Sequence, residues 1–323
     1  MSTGAGKTAV LLLAHGTPDS PDEVPEYMKN ITGGRPIPDA VMEEVKHRYG
    51  LIGRSPLTDI TMRQAAALQK KLQLPVYVGM RNWHPFIADT VKQMAAAEIT
   101  DVLAICLAPQ NSRTSVGLYK RATLNAVEAT GGGIRVTFVD TWHDHYQLAA
   151  AFSLNLLMAL HEAGEASGQR PPVIFTAHSV PCRTVAESDE AGNRMSSDAY
   201  ANECKLTARA VAKSAALGDD QWFFAFQSQG MSGGPWIGPT VEDTLKGLAE
   251  AGHKSMVMQP VGFVCDHVEV LYDIDIAFRK LAKELGMQLW RAESLNDSRI
   301  FIGALADVAR ANLTEQMRLI AGR

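Results

Sequence analysis

The sequence lacks the features that would tie it to a membrane, a metal cluster or a disulfide framework. The four cysteines are scattered and form no C-x-x-C pair, which argues against a zinc ribbon, an iron–sulfur cluster or paired disulfides. No apolar run approaches the roughly 20 residues that a spanning helix needs, and the N-terminus does not have the pattern of a signal peptide. We therefore expect a cytoplasmic protein without membrane insertion.

An excess of positive charge is also absent. The net charge is -4, so no basic field would attract nucleic acid or anionic lipid. No G-x-G-x-x-G motif follows an apolar run, which disfavours a nucleotide-binding Rossmann enzyme. The chain is instead an ordinary mixture, 46% hydrophobic and 20% charged, and its 323 residues are enough for two domains.

Short apolar runs alternate with long amphipathic segments along the whole chain, as in parallel β–α units. The runs are rich in Val, Ile, Leu and Phe, which is typical of strands buried on both faces. The predicted strands are residues 10–14, 76–79, 102–107, 136–139, 173–177, 222–226, 256–259 and 288–290. The sequence thus predicts an α/β fold of two Rossmann-like lobes, each a four-stranded parallel sheet flanked by helices.

A polar stretch at residues 165–172 marks the predicted boundary between the lobes. It divides the chain into an N-terminal lobe, residues 1–165, and a C-terminal lobe, residues 166–323. Whether the last helix packs back on the first lobe is left open by the sequence.

The first predicted strand of each lobe ends in a similar way, with A-H-G-T-P at residues 14–18 and A-H-S-V-P at residues 177–181. Ligands bind at the carboxyl ends of strands in open α/β sheets. We therefore expect His15 and His178 to face one cleft between the lobes. The alternative is a pair of unrelated strand-end turns, since proline commonly marks such turns.

An acidic cluster follows the predicted strand 256–259. Asp266, Glu269 and Asp273 are spaced i, i+3 and i+7, so at 3.6 residues per turn they would share one helical face. The helix of this region is predicted at residues 268–285. Such a row would favour a divalent cation, and Glu269 with His178 would form a pair able to take protons and hold a metal. The alternative is a solvated acidic face near a helix N-terminus.

Several segments, taken together, resemble the ferrochelatase family over nearly the full chain. They are L-L-L-A-H-G-T-P (11–18), S-P-L-T-D-I-T (55–61), G-M-R-N-W-H-P-F-I (79–87), L-A-P-Q-N-S (107–112), F-T-A-H-S-V-P (175–181), F-Q-S-Q-G (226–230), W-I-G-P (236–239) and P-V-G-F-V-C-D-H-V-E-V-L-Y-D-I-D (260–275). The resemblance implies two Rossmann-like lobes with a porphyrin cleft and an enzyme that inserts ferrous iron in haem biosynthesis.

The resemblance also implies roles for particular residues. His178 and Glu269 match the catalytic pair that binds metal and manages the pyrrole protons, and Asp273 matches the start of an acidic row. The next position of that row, usually acidic, is Ala277. His15 stands where one branch of the family commonly has a tyrosine facing the metal, and it could act as an axial iron ligand.

The substrate implied by the resemblance is coproporphyrin III. Members that use protoporphyrin carry an apolar, membrane-docking lip after the first helices, whereas residues 31–55 here are short, polar and uninterrupted. Arginines pair well with propionates. The implied substrate-binding residues are His15, Arg35, Arg54, Ser55, Ser112 and Tyr119.

The expected ligands are therefore a porphyrin and Fe²⁺ as substrates, with no tightly bound cofactor, no nucleic-acid partner and a monomeric chain. Three alternatives remain open at this stage. One is protoporphyrin IX as the substrate. Another is a sirohydrochlorin or cobalt chelatase, since those enzymes also open with an apolar strand that ends in His-Gly. The third is a haem or metal carrier that uses the same cleft without turnover.

Overall fold

The computed structural model describes residues 6–188, 194–197, 199–229 and 234–321. The strands are β1 (Lys7–Ala14), β2 (Val76–Met80), β3 (Ile99–Cys106), β4 (Arg135–Val139), β5 (Val173–His178), β6 (Ala186–Ser188), β7 (Arg194–Ser197), β8 (Trp222–Gln227), β9 (Ser255–Pro260) and β10 (Gln288–Arg291). The last residue of the segment 226–230, Gly230, lies outside the described residues.

The helices lie mostly between consecutive strands. They are α1 (Val24–Thr32), α2 (Asp39–Ile52), α3 (Leu57–Leu72), α4 (Ile87–Ala96), α5 (Val116–Ala129), α6 (Tyr146–Ser167), α7 (Cys182–Val185), α8 (Tyr200–Ser214), α9 (Val241–Glu250), α10 (Val268–Leu271), α11 (Arg279–Glu284) and α12 (Arg299–Ala321). A short 3-10 helix, Pro21–Glu23, precedes α1, and a π-helix, Asp273–Phe278, lies between α10 and α11.

Two four-stranded parallel sheets form the framework, with strand orders β2-β1-β3-β4 and β10-β9-β5-β8. Each central strand is buried on both faces; in β1 the side chains from Ala9 to Leu13 are all 0% exposed. The predicted fold class, two lobes that each contain a four-stranded parallel sheet flanked by helices, is confirmed. The hairpin of β6 and β7 was not predicted.

Contacts along the chain divide the described residues into two compact units. Unit 1 comprises the described residues of Met1–Pro109, Thr114–Trp142 and Asn296–Arg323, and unit 2 comprises those of Gln110–Arg113 and His143–Leu295. The division therefore differs from the sequence-based boundary after residue 165. Helix α6 packs against α8 and β9 in unit 2, whereas α12 packs against α3 and β3 in unit 1.

The helix predicted at residues 268–285 is interrupted in the structure. Helix α10 ends after Leu271, the π-helix follows from Asp273 to Phe278, and α11 completes the segment. A π-turn adds one residue to a helical turn, so the side chains beyond it are rotated away from the positions that a regular helix would give them. Within the described part of the chain, no helix is both long and apolar enough to cross a membrane.

Candidate active site

His178 is the last residue of β5, at the carboxyl end of the second sheet. Its register partner is Gln227, the last residue of the neighbouring strand β8. Two hydrogen bonds hold the backbone on either side of the imidazole: the Tyr200 hydroxyl donates to the His178 carbonyl at 3.0 Å, and the Ser179 amide donates to the Gln227 carbonyl at 2.7 Å. The imidazole is thus carried by a rigid, paired strand end.

Both ring nitrogens of His178 have partners. Nδ1–H donates to the Ser179 carbonyl, and Nε2 lies 3.1 Å from Oε1 of Glu269. The side chains of His178 and Glu269 are 31% and 32% exposed, so a ligand can reach them. The structure therefore brings together the two residues that the sequence analysis singled out, although they are 91 positions apart in the chain.

A second imidazole contacts the other side of Glu269. His267, just before α10, has Nδ1 at 3.1 Å from the Cys265 carbonyl and Nε2 at 3.5 Å from Oε2 of Glu269. Glu269 consequently lies between two histidines. Sequence reasoning did not assign a role to His267, although its position two residues before Glu269, in a loop that leads into the helix, was an available signal.

The charges of the pair stabilise each other. Burial alone would lower the pKa of His178, but the charge of Glu269, the hydrogen bond to it and the Ser179 carbonyl together raise that pKa to about 9. Burial would raise the pKa of Glu269, whereas the attraction and hydrogen bonds of His178 and His267 hold it well below its usual value. Near neutral pH the pair is therefore an imidazolium beside a carboxylate.

A buried amide links the strands to the helix that carries Glu269. Gln227 accepts a hydrogen bond from the Thr176 hydroxyl at 2.6 Å and donates one to the Glu269 carbonyl at 2.9 Å. Beside it, the Ser228 hydroxyl donates to the buried carboxylate of Asp273. Asp273 lies close enough to contribute to the raised pKa of His178.

The loop before α10 approaches β5 very closely at Gly262. A Cβ atom added to Gly262 would lie 2.7 Å from the Cβ of Ala177 and 2.9 Å from its Cα. Only glycine fits this approach, which sets the distance between the strand end with His178 and the loop that leads to Glu269.

Asp266 does not join Glu269 and Asp273, so the prediction that the three carboxylates share one helical face is wrong. Asp266 precedes the first residue of α10 and accepts hydrogen bonds from Arg291 at 3.2 Å and from Ser294 at 2.7 Å. Arg291 also donates to Asp275 at 2.9 Å. Asp266 and Asp275 therefore anchor the helical segment to β10.

In unit 1, His15 directly follows β1 and is exposed. The Asn82 side-chain amide lies 3.3 Å from its Nδ1 and 3.1 Å from its Nε2, and the ring of Tyr27 packs edge-on at 6.3 Å between centroids. The backbone of Asn82 adds a hydrogen bond from its amide to the His15 carbonyl at 2.9 Å. A buried asparagine thus positions His15 at the carboxyl end of β1.

The two arginines predicted to bind substrate, Arg54 and Arg35, differ in the partners that they already have in the structure. Arg54 is already paired with Asp19 at 2.9 Å and with Asp59 at 3.2 Å, so a carboxylate ligand would have to compete with both. Arg35 is exposed and its Nε donates to the Thr32 carbonyl at 2.9 Å.

Three other predicted substrate-binding residues are buried: Ser55, Ser112 and Tyr119. The Ser55 hydroxyl has no hydrogen-bond partner among the described residues. Ser112 belongs to unit 2, whereas Ser55 and Tyr119 belong to unit 1. Burial means that each of the three needs a local rearrangement or a close-fitting ligand before it can contact a substrate.

The geometry of the His178–Glu269 pair supports proton transfer and the binding of a cation. Glu269 can accept a proton on its carboxylate, and His178 can offer a nitrogen lone pair once it has released the proton on Nε2. The rings of Trp236 and Phe263 lie 6.5 and 6.4 Å from that of His178 and provide an aromatic wall. Among the described residues, no three His, Cys, Asp or Glu side chains are grouped so that they could hold a metal ion by themselves.

Comparisons with known proteins agree on one family. A family model described as Ferrochelatase matches residues 7–313. A protein of Acidobacterium capsulatum named "Ferrochelatase" is 56% identical over 312 residues, 95% of each chain. A protein of Geobacillus thermodenitrificans named "Coproporphyrin III ferrochelatase" is 34% identical over 316 residues, which cover 95% of this chain and 96% of that one.

A comparison of structures finds a similar fold in a protein of low sequence identity. The chain resembles "SirB from Bacillus subtilis with Fe3+" with a TM-score of 0.54, 9% sequence identity and 94% of both chains covered. At this identity the likeness concerns the fold alone.

Proposed function

Because the chain belongs to the ferrochelatase family, it is an enzyme of haem biosynthesis that inserts iron into a porphyrin, and we propose that this porphyrin is coproporphyrin III. We further propose that His178 and Glu269 carry out the reaction. The observation that supports both residues most directly is the 3.1 Å contact between Nε2 of His178 and Oε1 of Glu269 in a place that a ligand can reach.

Insertion of Fe²⁺ releases two protons from the pyrrole nitrogens, so the protein needs groups that accept them. In the resting pair, His178 already holds a proton and Glu269 is ionised. Glu269 can accept the first pyrrole proton. Once His178 has released its own proton to solvent, it can accept the second or bind iron. The Glu269–His267 contact of 3.5 Å offers a route by which a proton leaves the carboxylate.

Asp273 is proposed to assist by attracting the cation. Its carboxylate lies beside Ser228 and acts electrostatically on His178, which places a second negative charge near the pair. We propose that His15, on unit 1, would offer an imidazole nitrogen to the iron, and its ring is oriented by the side-chain amide of Asn82. Iron is a substrate in this account, and we propose no tightly bound cofactor.

Two observations favour coproporphyrin III as the substrate. The segment between α1 and α2 consists only of residues 33–38, and no apolar insertion is present in residues 31–55. Relatives that are 31–34% identical bear the name "Coproporphyrin III ferrochelatase". The proposed contacts to its propionates come from His15, Arg35, Arg54, Ser55, Ser112 and Tyr119. We also propose that the enzyme acts in the cytoplasm as a monomer.

The substrate proposal is tested by parallel assays of the purified chain. Iron insertion is measured with coproporphyrin III and with protoporphyrin IX, and cobalt insertion is measured with sirohydrochlorin. We expect coproporphyrin III with Fe²⁺ to give the highest kcat/KM. A higher kcat/KM with protoporphyrin IX would contradict coproporphyrin III as the substrate. A higher kcat/KM for cobalt insertion into sirohydrochlorin would contradict iron insertion as the reaction. Tight haem binding without turnover would instead support a carrier.

A further inference from the structure

Unit 1 contains an open groove with a strongly positive lining. The groove has a volume of about 760 Å³, within the range of ligand-binding clefts. Three arginines line it: Arg35 after α1, Arg81 after β2 and Arg121 on α5. No aspartate or glutamate is among its lining residues. This local charge contrasts with the net charge of -4 of the whole chain.

Within the described part of the chain, carboxylates do not neutralise the three guanidinium groups of the groove. Among the described residues, no ion pair joins Arg35, Arg81 or Arg121 to an acidic side chain, whereas Arg54 and Arg63, for example, are each paired with aspartates. Three like charges around one groove repel each other, and an arrangement of this kind is stabilised by an anionic ligand.

The other walls of the groove are apolar or neutral. On α5, Leu118, Arg121, Ala122 and Asn125 follow one another at helical spacing, so they lie on one face of the helix. Ile31 adds a further apolar side chain. The groove therefore combines an apolar surface with guanidinium groups, which suits a ligand that has a hydrophobic body and several carboxylates.

The groove adjoins His15 through a short chain of hydrogen bonds. Arg81 Nε donates to the Asn82 side-chain oxygen at 3.0 Å, and the side-chain amide of Asn82 contacts both ring nitrogens of His15. Asn30, which also lines the groove, donates to the Asn82 carbonyl at 3.1 Å. A ligand whose carboxylates occupy the groove would thus lie next to the histidine at the end of β1.

We propose that Arg81 and Arg121, together with Arg35, form a carboxylate-binding groove that selects porphyrins with four propionates over those with two. This inference rests on the proposed function, because it assumes that the substrate is a polycarboxylate porphyrin. Arg121 best distinguishes the carboxylate-binding groove from the proposed function. Its side chain is exposed and makes no hydrogen bond within the described part of the chain. Its replacement leaves the Asn82–His15 contacts in place.

The test compares Arg121→Gln, Arg121→Lys and the matched control Arg299→Gln. Arg299 is exposed, belongs to unit 1 and lies outside the groove lining, so its replacement removes the same charge elsewhere. The Kd values for coproporphyrin III and for mesoporphyrin IX, which has two propionates, are measured by fluorescence without iron at several salt concentrations. Iron insertion into coproporphyrin III by the unaltered chain is measured in parallel.

We expect Arg121→Gln to weaken coproporphyrin III binding about tenfold, the loss of roughly one charge-assisted hydrogen bond. Mesoporphyrin binding should weaken less, the salt dependence should become shallower, and Arg121→Lys should recover part of the affinity. Equal Kd values for Arg121→Gln and Arg299→Gln, or equal weakening of both porphyrins, would overturn the inference. If the unaltered chain fails to metallate coproporphyrin III, the proposed function fails instead.

Discussion

At the scale of single residues, the proton shared by His178 and Glu269 decides the chemistry of the site. Because the pKa of His178 is raised to about 9, its nitrogen lone pair on Nε2 is occupied near neutral pH. Iron binding to that nitrogen therefore requires proton release, which couples the arrival of the metal to the removal of protons. His267 and the Ser179 carbonyl keep both imidazole and carboxylate oriented before any ligand enters.

The raised pKa predicts a pH-dependent contribution of His178 to stability. A group whose pKa is higher in the folded than in the unfolded chain stabilises the fold fully below the unfolded value, here about 6.5, and this contribution is lost as the pH rises through the folded value, about 9. After allowance for partial exposure, we expect the contribution to be about 2 kcal/mol.

The measurement is the free energy of unfolding in urea for the unaltered chain and for His178→Asn between pH 6 and about 9.5. The difference between the two should shrink steadily across this range as the imidazolium of the unaltered chain loses its proton. A difference that stays constant with pH would show that the imidazolium–carboxylate pair is not present in the folded enzyme.

At the scale of elements, Arg291 on β10 anchors the segment from Asp266 to Asp275 through two ion pairs. Its guanidinium joins Asp266 and Asp275 at 3.2 and 2.9 Å, and its side chain is only 12% exposed. These ion pairs fix the start of α10 and the π-helix at once. As a result, Glu269 faces His178 while Asp273, one turn on, faces Ser228.

Removal of this guanidinium is therefore expected to be costly. Arg291→Met removes the guanidinium that two half-buried carboxylates share, leaving Asp266 with Ser294 and Asp275 with Arg279, and should lower the free energy of unfolding by about 2 kcal/mol. The matched control is Arg279→Gln, which removes an exposed arginine 3.4 Å from the same Asp275 and should cost less than about 1 kcal/mol. Similar urea midpoints for the two variants would contradict the anchoring role of Arg291.

The close approach of Gly262 to β5 gives a second prediction at this scale. Gly262→Ala places a Cβ 2.7 Å from that of Ala177, so the loop must shift, and we expect a loss of about 1–3 kcal/mol in stability. Iron insertion should fall as well, because the shift moves Glu269 relative to His178.

The control for this substitution is Gly247→Ala in α9, where an added Cβ meets no atom within 4 Å. Alanine favours the helix, so this variant should be unchanged or up to about 1 kcal/mol more stable. Thermal unfolding and iron-insertion rates of the two variants give the comparison. Equal stability of both variants would mean that the loop tolerates a side chain at residue 262.

At the scale of the whole molecule, the two parallel sheets were predictable because their strands are continuous apolar runs. The interruption of the helix after Leu271 was not, since a π-turn leaves no periodic signal in a segment such as D-I-D-I-A-F. The assignment of α6 to unit 2 and of α12 to unit 1 depends on long-range packing, which local sequence patterns do not encode.

The site was predictable to a similar extent. His178 was recognised from its position at a strand end and Glu269 from the acidic cluster, and in the structure the two side chains are in contact. The roles of His267 and Gln227, by contrast, follow from hydrogen bonds between distant segments. The ion pair of Arg54 with Asp19 could not be foreseen either, because Asp19 lies 35 positions away.

The measurement that tests the central claim most directly is single-turnover iron insertion by His178→Asn and Glu269→Gln, with porphyrin binding measured on the same samples. The exposed His161 on α6 supplies the control, His161→Asn. The account predicts that both site variants still bind porphyrin but insert iron at least about 100-fold more slowly than the control. Insertion by either site variant at the rate of the control would contradict the claim that this pair performs the reaction.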